Sequence, residues 1–158
     1  MRVGITGHRG LPEEVGQRIR AALREEIEKY APGELVGLSC IADGPDSWFA
    51  QLVLEHGGRL EVVVPAAQYR VGLPPWHHPV YDELLDRATT VHHTGRETSD
   101  SQAHMAGSEV LVGLADRLIA VWDGQPARGH GGTADVVAYA ERMGLPLGII
   151  WPQGATRG

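Results

Sequence analysis

Cysteine is nearly absent: Cys40 is the one thiol in 158 residues, so no disulfide can form within the chain and an oxidising compartment is not implied. Its neighbours in Leu35–Ile41 are apolar, and Cys40 reads as a buried small hydrophobe. No run approaches the roughly 20 apolar residues that span a membrane, and Met1–Gly7 opens directly as strand-like sequence without an apolar leader. The expectation is a cytoplasmic protein with no membrane partner. Positive charge is also scarce. Fourteen Lys and Arg face twenty Asp and Glu, a net charge of -6, which argues against a protein that grips duplex nucleic acid through a basic face. There is no internal repeat and no low-complexity segment.

What remains is ordinary globular composition, 42% hydrophobic and 22% charged, in a chain long enough to bury one core without covalent staples. One domain over 1–152 is expected, with 153–158 as a frayed tail. The charges are unevenly placed. Glu13, Glu14, Glu25, Glu26 and Glu28 crowd the first helical segment, whereas Arg9, Arg70, Arg96 and Arg128 fall in loops or at element ends. A locally positive cleft on an acidic body is compatible with that pattern.

Hydrophobic periodicity sets out the elements. Residues 2–6 form a short buried strand closed by Gly7-His8-Arg9-Gly10. A helix follows from Pro12, with Val15, Ile19, Ala22, Leu23, Ile27 and Tyr30 at helical spacing, until Pro32-Gly33 stops it. Leu35–Ile41 is a second strand, and Asp43-Gly44-Pro45-Asp46 opens a second helix that ends at Gly57-Gly58. Leu60–Val64 is a third. The Pro- and His-rich segment 66–98 is the least regular, with a helix over Tyr81–Ala88 and a short strand over Thr89–His93. Another helix begins at Ser99, its apolar stripe being Ala103, Ala106, Val110, Leu111 and Leu114. A strand over Arg117–Trp122, a glycine-rich loop over Asp123–Gly132, a helix over Thr133–Met143 and a strand over Leu147–Trp151 complete the chain. Strands alternating with helices specify βαβ units. The fold class expected is therefore α/β, a three-layer, Rossmann-like, doubly wound domain with a mostly parallel sheet.

In such a sheet the strand-to-helix loops share one edge, so a ligand is expected where loops distant in sequence converge. Three segments qualify: Gly7-His8-Arg9-Gly10, Ser39–Asp46 and Asp123–Thr133. In the last, Gly131-Gly132-Thr133 precedes a helix whose unpaired amides and dipole attract an anion, and Asp123-Gly124 opens the loop. A plain threonine-capped loop has the same sequence. His8 and Arg9 follow a buried strand, and an arginine fork matches phosphate or carboxylate; equally, Arg9 balances the acidic helix beside it. Ser39, Asp43, Gly44 and Asp46 are placed to orient a ribose, or serve only as turn and helix-start residues. Gly4-x-x-Gly7-x-x-Gly10 departs from the dinucleotide fingerprint, so no NAD-type cofactor is expected. His77-His78 and His92-His93 are adjacent pairs whose side chains diverge, which does not suit a metal site. Cys40 has no visible partner base and Ser39 lies in no nucleophile elbow. Trp48, Trp122 and Trp151 read as core or strand-end residues, and Trp76 as a lid or interface residue.

Three stretches together give the chain a likeness to known proteins: Ile5-Thr6-Gly7-His8-Arg9, Ser39-Cys40-Ile41-Ala42-Asp43-Gly44-Pro45-Asp46, and Asp116–Gly124 followed by Gly131-Gly132-Thr133. It resembles the SLOG superfamily of Rossmann-like domains, which includes the LOG phosphoribohydrolases, the DprA/Smf DNA-processing proteins and the YpsA-like proteins. The resemblance implies binding of a nucleotide or nucleotide derivative, as a sensor or processing domain, and a homo-oligomer. It also implies a departure. The LOG motif places a glutamate where this chain has Val136, with Asp135 one residue earlier, about 100° away around a helix. Gly107 and Ser108 stand where YpsA-like proteins carry an Arg-Asn pair. Two alternatives therefore stay open beside nucleotide binding. One is an N-glycosidase, of phosphoribohydrolase or deoxyribosyltransferase type, whose carboxylate would be Asp43, Asp46, Asp123 or Asp135; the other is an interaction domain using segment 66–98.

Overall fold

A computed structural model describes residues 1–127 and 129–157 of the chain; Arg128, one of the four loop arginines, and Gly158 lie outside the described residues. The apolar runs become six strands: β1 (Arg2–Gly7), β2 (Val36–Ser39), β3 (Arg59–Val64), β4 (Thr90–His93), β5 (Arg117–Val121) and β6 (Leu147–Ile150). They form one sheet in the order β4-β3-β2-β1-β5-β6, with parallel pairing throughout. Among the described residues five α-helices connect them: α1 (Glu13–Glu28), α2 (Pro45–Glu55), α3 (His78–Arg87), α4 (Ser101–Leu114) and α5 (Thr133–Arg142). This is a single-domain, three-layer α/β fold of Rossmann-like, doubly wound type.

Alternation along β1 shows how the layers are built. Val3 and Ile5 face α1 and α2, joining Ile19, Leu23, Phe49 and Val53 in one buried cluster. Gly4 faces the other way, where a Cβ would stand 2.6 Å from Leu111 of α4. Leu38, Val62 and Leu118 belong to the second cluster, with Leu111 and Val112 of α4 and Val136 and Ala140 of α5. Helix α1 behaves as its periodicity requires: Val15, Ile19, Leu23 and Ile27 are buried one turn apart. Helix α3 packs against α2.

Helix α4 departs from its expected stripe. Its buried residues are Ala103, Met105, Gly107, Leu111 and Val112, while Val110 is 39% exposed. The cause is steric: a Cβ on Gly107 would lie 2.9 Å from the Pro65 ring that follows β3, so the helix turns this glycine towards that strand end. In the tail, residues 153–157 fold back, with the Trp151 indole N–H donating to Ala155 O at 3.2 Å and Arg18 donating to Gln153 O at 2.9 Å.

Among the described residues no helix is long and apolar enough to cross a membrane, and no three His, Cys, Asp or Glu side chains cluster as metal ligands. Two of the paired histidines have other partners: His77 is buried beside Ile41 O and the Ser47 hydroxyl, and His92 pairs with Glu61 at 2.8 Å.

Candidate functional site

Strand order reverses between β1 and β5, and at such a point the loops diverge to opposite faces and leave a crevice at the carboxyl edge. Here the crevice is a cleft of about 310 Å³. The β1 turn supplies Gly7, His8 and Arg9, the β2 turn supplies Cys40, Ala42 and Asp46, and the β5–α5 loop supplies Gly129–Thr133. Pro65 and Tyr69 after β3, His104 and Ser108 of α4, and Arg157 of the tail close the remaining sides.

The β1–β2 side is tightly hydrogen-bonded. Ser39 Oγ donates to Asp46 O and accepts from Ile41 N, both at 2.9 Å, and this ends β2 two residues before the apolar run does. Ile41 consequently holds a φ of 48°, a left-handed conformation that a β-branched residue adopts only when its surroundings impose it. Buried His77 fixes its carbonyl at 3.0 Å. Arg9 turns to Asp43, with Nε at 2.9 Å and Nη2 at 2.6 Å from Oδ1. Asp43 is thereby committed, and it borders a neighbouring groove with Gly44, Trp48 and Trp76 rather than the cleft. Arg9 pairs with this turn aspartate, not with the acidic helix α1.

Asp46 is different. Its carboxylate accepts a long hydrogen bond of 3.4 Å from Ala42 N, has no ion-pair partner among the described residues, and faces the cleft. Burial pushes its carboxyl up to about 7, against the pull of the Ala42 amide and the Arg9 charge. Burial likewise pushes the Cys40 thiol well up, so Cys40 contributes a thiol wall and no thiolate. His104 is shifted down by burial and by the Arg9 charge; its Nε2 meets Ser99 Oγ at 2.8 Å.

On the β5 side, Asp123 sits behind the cleft. Its carboxylate lies 3.2 Å from His8 Nε2, accepts from Gln125 N at 3.0 Å, and stands 3.5 Å from Arg157 Nε. Burial acts to raise its pKa, but the Gln125 amide, His8 and Arg157 together hold it below the usual carboxylate range. Gly124 carries a φ of 81° in the following turn and does not line the cleft. Gly131, φ 82°, could bear no side chain: a Cβ would lie 2.8 Å from Ser101 O. Gly132, not Thr133, is the N-cap of α5, and Thr133 takes the first helical position with its side chain buried against the cleft. Asp135 reaches back to accept from Gly131 N at 2.9 Å, so it satisfies one amide of this turn itself. The amides of Thr133 and Ala134 make no hydrogen bond to a described residue.

Of the residues singled out from sequence, the fold thus gathers Gly7, His8, Arg9, Asp46, Gly131, Gly132 and Thr133 around one cleft. Ser39, Asp43, Gly44, Asp123, Gly124 and Asp135 lie behind or beside it, as supports. Tyr69, His104 and Arg157 were not signalled as ligand residues, and Ser108 only as a departure from the YpsA-like pattern. Pro65 and Tyr69 follow β3 at the same edge, so the rule that selected the other loops reaches them; nothing local marks Arg157.

No family model matches the chain, and no curated protein matches it in sequence. Solved structures do match. DNA processing protein A from Helicobacter pylori superposes with a TM-score of 0.72 at 17% identity, over 99% of this chain and 68% of that one. The chain has the Rossmann-like fold of the DprA/Smf proteins. The Streptococcus pneumoniae DNA processing protein A gives a TM-score of 0.70 at 18% identity over 97% of this chain, which spans about half (51%) of that protein. The molybdenum cofactor carrier protein of Chlamydomonas reinhardtii gives 0.56 at 17% identity, over 94% of this chain and 74% of that one. At these identities the likeness is one of fold.

Proposed function

We propose that the cleft binds a nucleotide-type small molecule, with its anionic group against the Gly131–Thr133 turn and its sugar beside Asp46. The observation that carries this reading is convergence: the β1, β2 and β5 turns open onto one cleft, and two amides at the start of α5 have no partner among the described residues. Arg9, held by Asp43, adds positive potential from the β1 turn. The likeness to a DNA processing protein described by its binding of single-stranded DNA supports a nucleic-acid-derived ligand. Thermal unfolding with a panel of nucleoside monophosphates tests it. A ligand at about 100 times its dissociation constant adds roughly 2.7 kcal/mol of stability, and no stabilisation by any member at millimolar concentration removes the reading.

A second reading, cleavage of an N-glycosidic bond, is favoured by Asp46 specifically. Water would add to the anomeric carbon, the carbon–nitrogen bond would break, and the departing base would take a proton. Positive charge develops on the sugar in such a reaction, and a nearby carboxylate stabilises it. Of the four carboxylates considered, Asp46 alone lines the cleft, and its pKa of about 7 keeps both protonation states populated near neutrality. Chromatographic detection of free base from nucleoside monophosphates is the measurement. Asp46→Asn should lower the rate by about 100-fold or more while ligand binding persists, and no release of base by the wild type leaves binding without turnover.

A further inference from the structure

Among the described residues two arginines border the cleft, and they are not equivalent. Arg9, the cation anticipated after β1, has its Nε and Nη2 both engaged on one oxygen of Asp43, and its side chain is 45% exposed. Arg157 comes from the folded-back tail and is only 15% exposed at its side chain. Among the described residues its ion-pair partner is Asp123, 3.5 Å from Nε, a separation too long for a good hydrogen bond. Among the described residues its two terminal nitrogens have no hydrogen-bond partner.

A guanidinium carries five N–H donors in a rigid plane. The terminal nitrogens of Arg157 are not among the fully buried atoms that lack a partner, so they reach accessible space, and Arg157 lines the cleft. Asp123 already has hydrogen-bond partners in His8 and the Gln125 amide and does not line the cleft, so its charge holds the guanidinium at 3.5 Å without itself facing a ligand. That arrangement leaves the outer edge of the fork for a second, two-oxygen anion.

We propose that Arg157, rather than Arg9, is the principal cation that recognises the ligand's anionic group, and that this group is a phosphomonoester. The inference rests on the nucleotide-binding reading above and assigns the source of its charge selectivity. Asp123 and the tail contacts of Trp151 and Arg18 are positioning features for that fork.

Titrations with 5′-AMP, inorganic phosphate and adenosine separate the alternatives. Wild type should bind 5′-AMP much more tightly than adenosine. Arg157→Gln should weaken 5′-AMP and phosphate by about tenfold or more, the loss expected for a charge-assisted pair, with adenosine unchanged. Arg157→Lys, which keeps the charge but not the fork, should fall between. Arg9→Gln should weaken 5′-AMP by no more than about threefold, as expected for an arginine whose charge is partly screened. If wild type binds 5′-AMP and Arg157→Gln binds it equally well, Arg157 has no such role and the nucleotide reading stands. Equal loss of 5′-AMP and adenosine in that variant also overturns the inference, because the tail would then be shaping the cleft. Wild type that binds none of the three probes overturns both.

Discussion

On the β1–β2 side of the cleft, Arg9 is locked to Asp43, Ser39 ties Ile41 to the start of α2, and His77 holds the Ile41 carbonyl. On the opposite side, two α5 amides and the outer edge of Arg157 find no partner among the described residues. Folding therefore completes one wall, even forcing a β-branched residue to a φ of 48°, and leaves the other wall's donors to whatever enters. Substitutions on the first wall should cost stability, and those on the second should cost binding.

The sharpest way to break this contrast is Ser39→Ala. It strands the buried Ile41 amide and removes a hydrogen bond to Asp46 O, which should cost about 2 kcal/mol. For a domain of this size, that lowers the melting temperature by roughly 4–8 °C. A drop below about 1 °C in a thermal melt would show that the turn holds its shape without the hydroxyl.

Asp46 gives the next largest effect, through pH. Its carboxyl is raised from an ordinary 3.8 to about 7. Between those values the folded chain keeps a proton that the unfolded chain has released, so stability falls as pH rises from about 4 to 7 and is level above that. With solvent screening allowed for, the decline is on the order of 1 kcal/mol. Denaturant unfolding at pH 5 and pH 8 should show it in the wild type and not in Asp46→Asn; equal slopes in both would place the proton elsewhere.

The smallest expected change is Asp135→Asn. The amide oxygen still caps Gly131 N, so the loss should be about 0.5 kcal/mol, with 5′-AMP affinity preserved. A large fall in affinity would move Asp135 from support to ligand contact.

The strands and helices were legible in the sequence because each had to hide an apolar stripe whose period identifies it, as Ile19, Leu23 and Ile27 do on α1. Helix α4 was less legible because close approach to Pro65, and not hydrophobicity, chose its buried face. In the candidate site, Gly131–Thr133 and Asp46 were findable from loop chemistry at the sheet edge. The roles of Asp43 and Asp135 were not, because a turn aspartate that pairs with an arginine or caps an amide has the same local sequence as one that meets a ligand.

The order of elements, their parallel winding and the edge at which loops gather follow from residue periodicity and the handedness of βαβ crossovers, which are local rules. Which donors remain unused, and that residue 157 returns to line the same cleft as residue 131, depend on packing between segments far apart in the chain. Hydrogen-bond commitment is a property of three-dimensional neighbours, so only the tertiary structure could decide it.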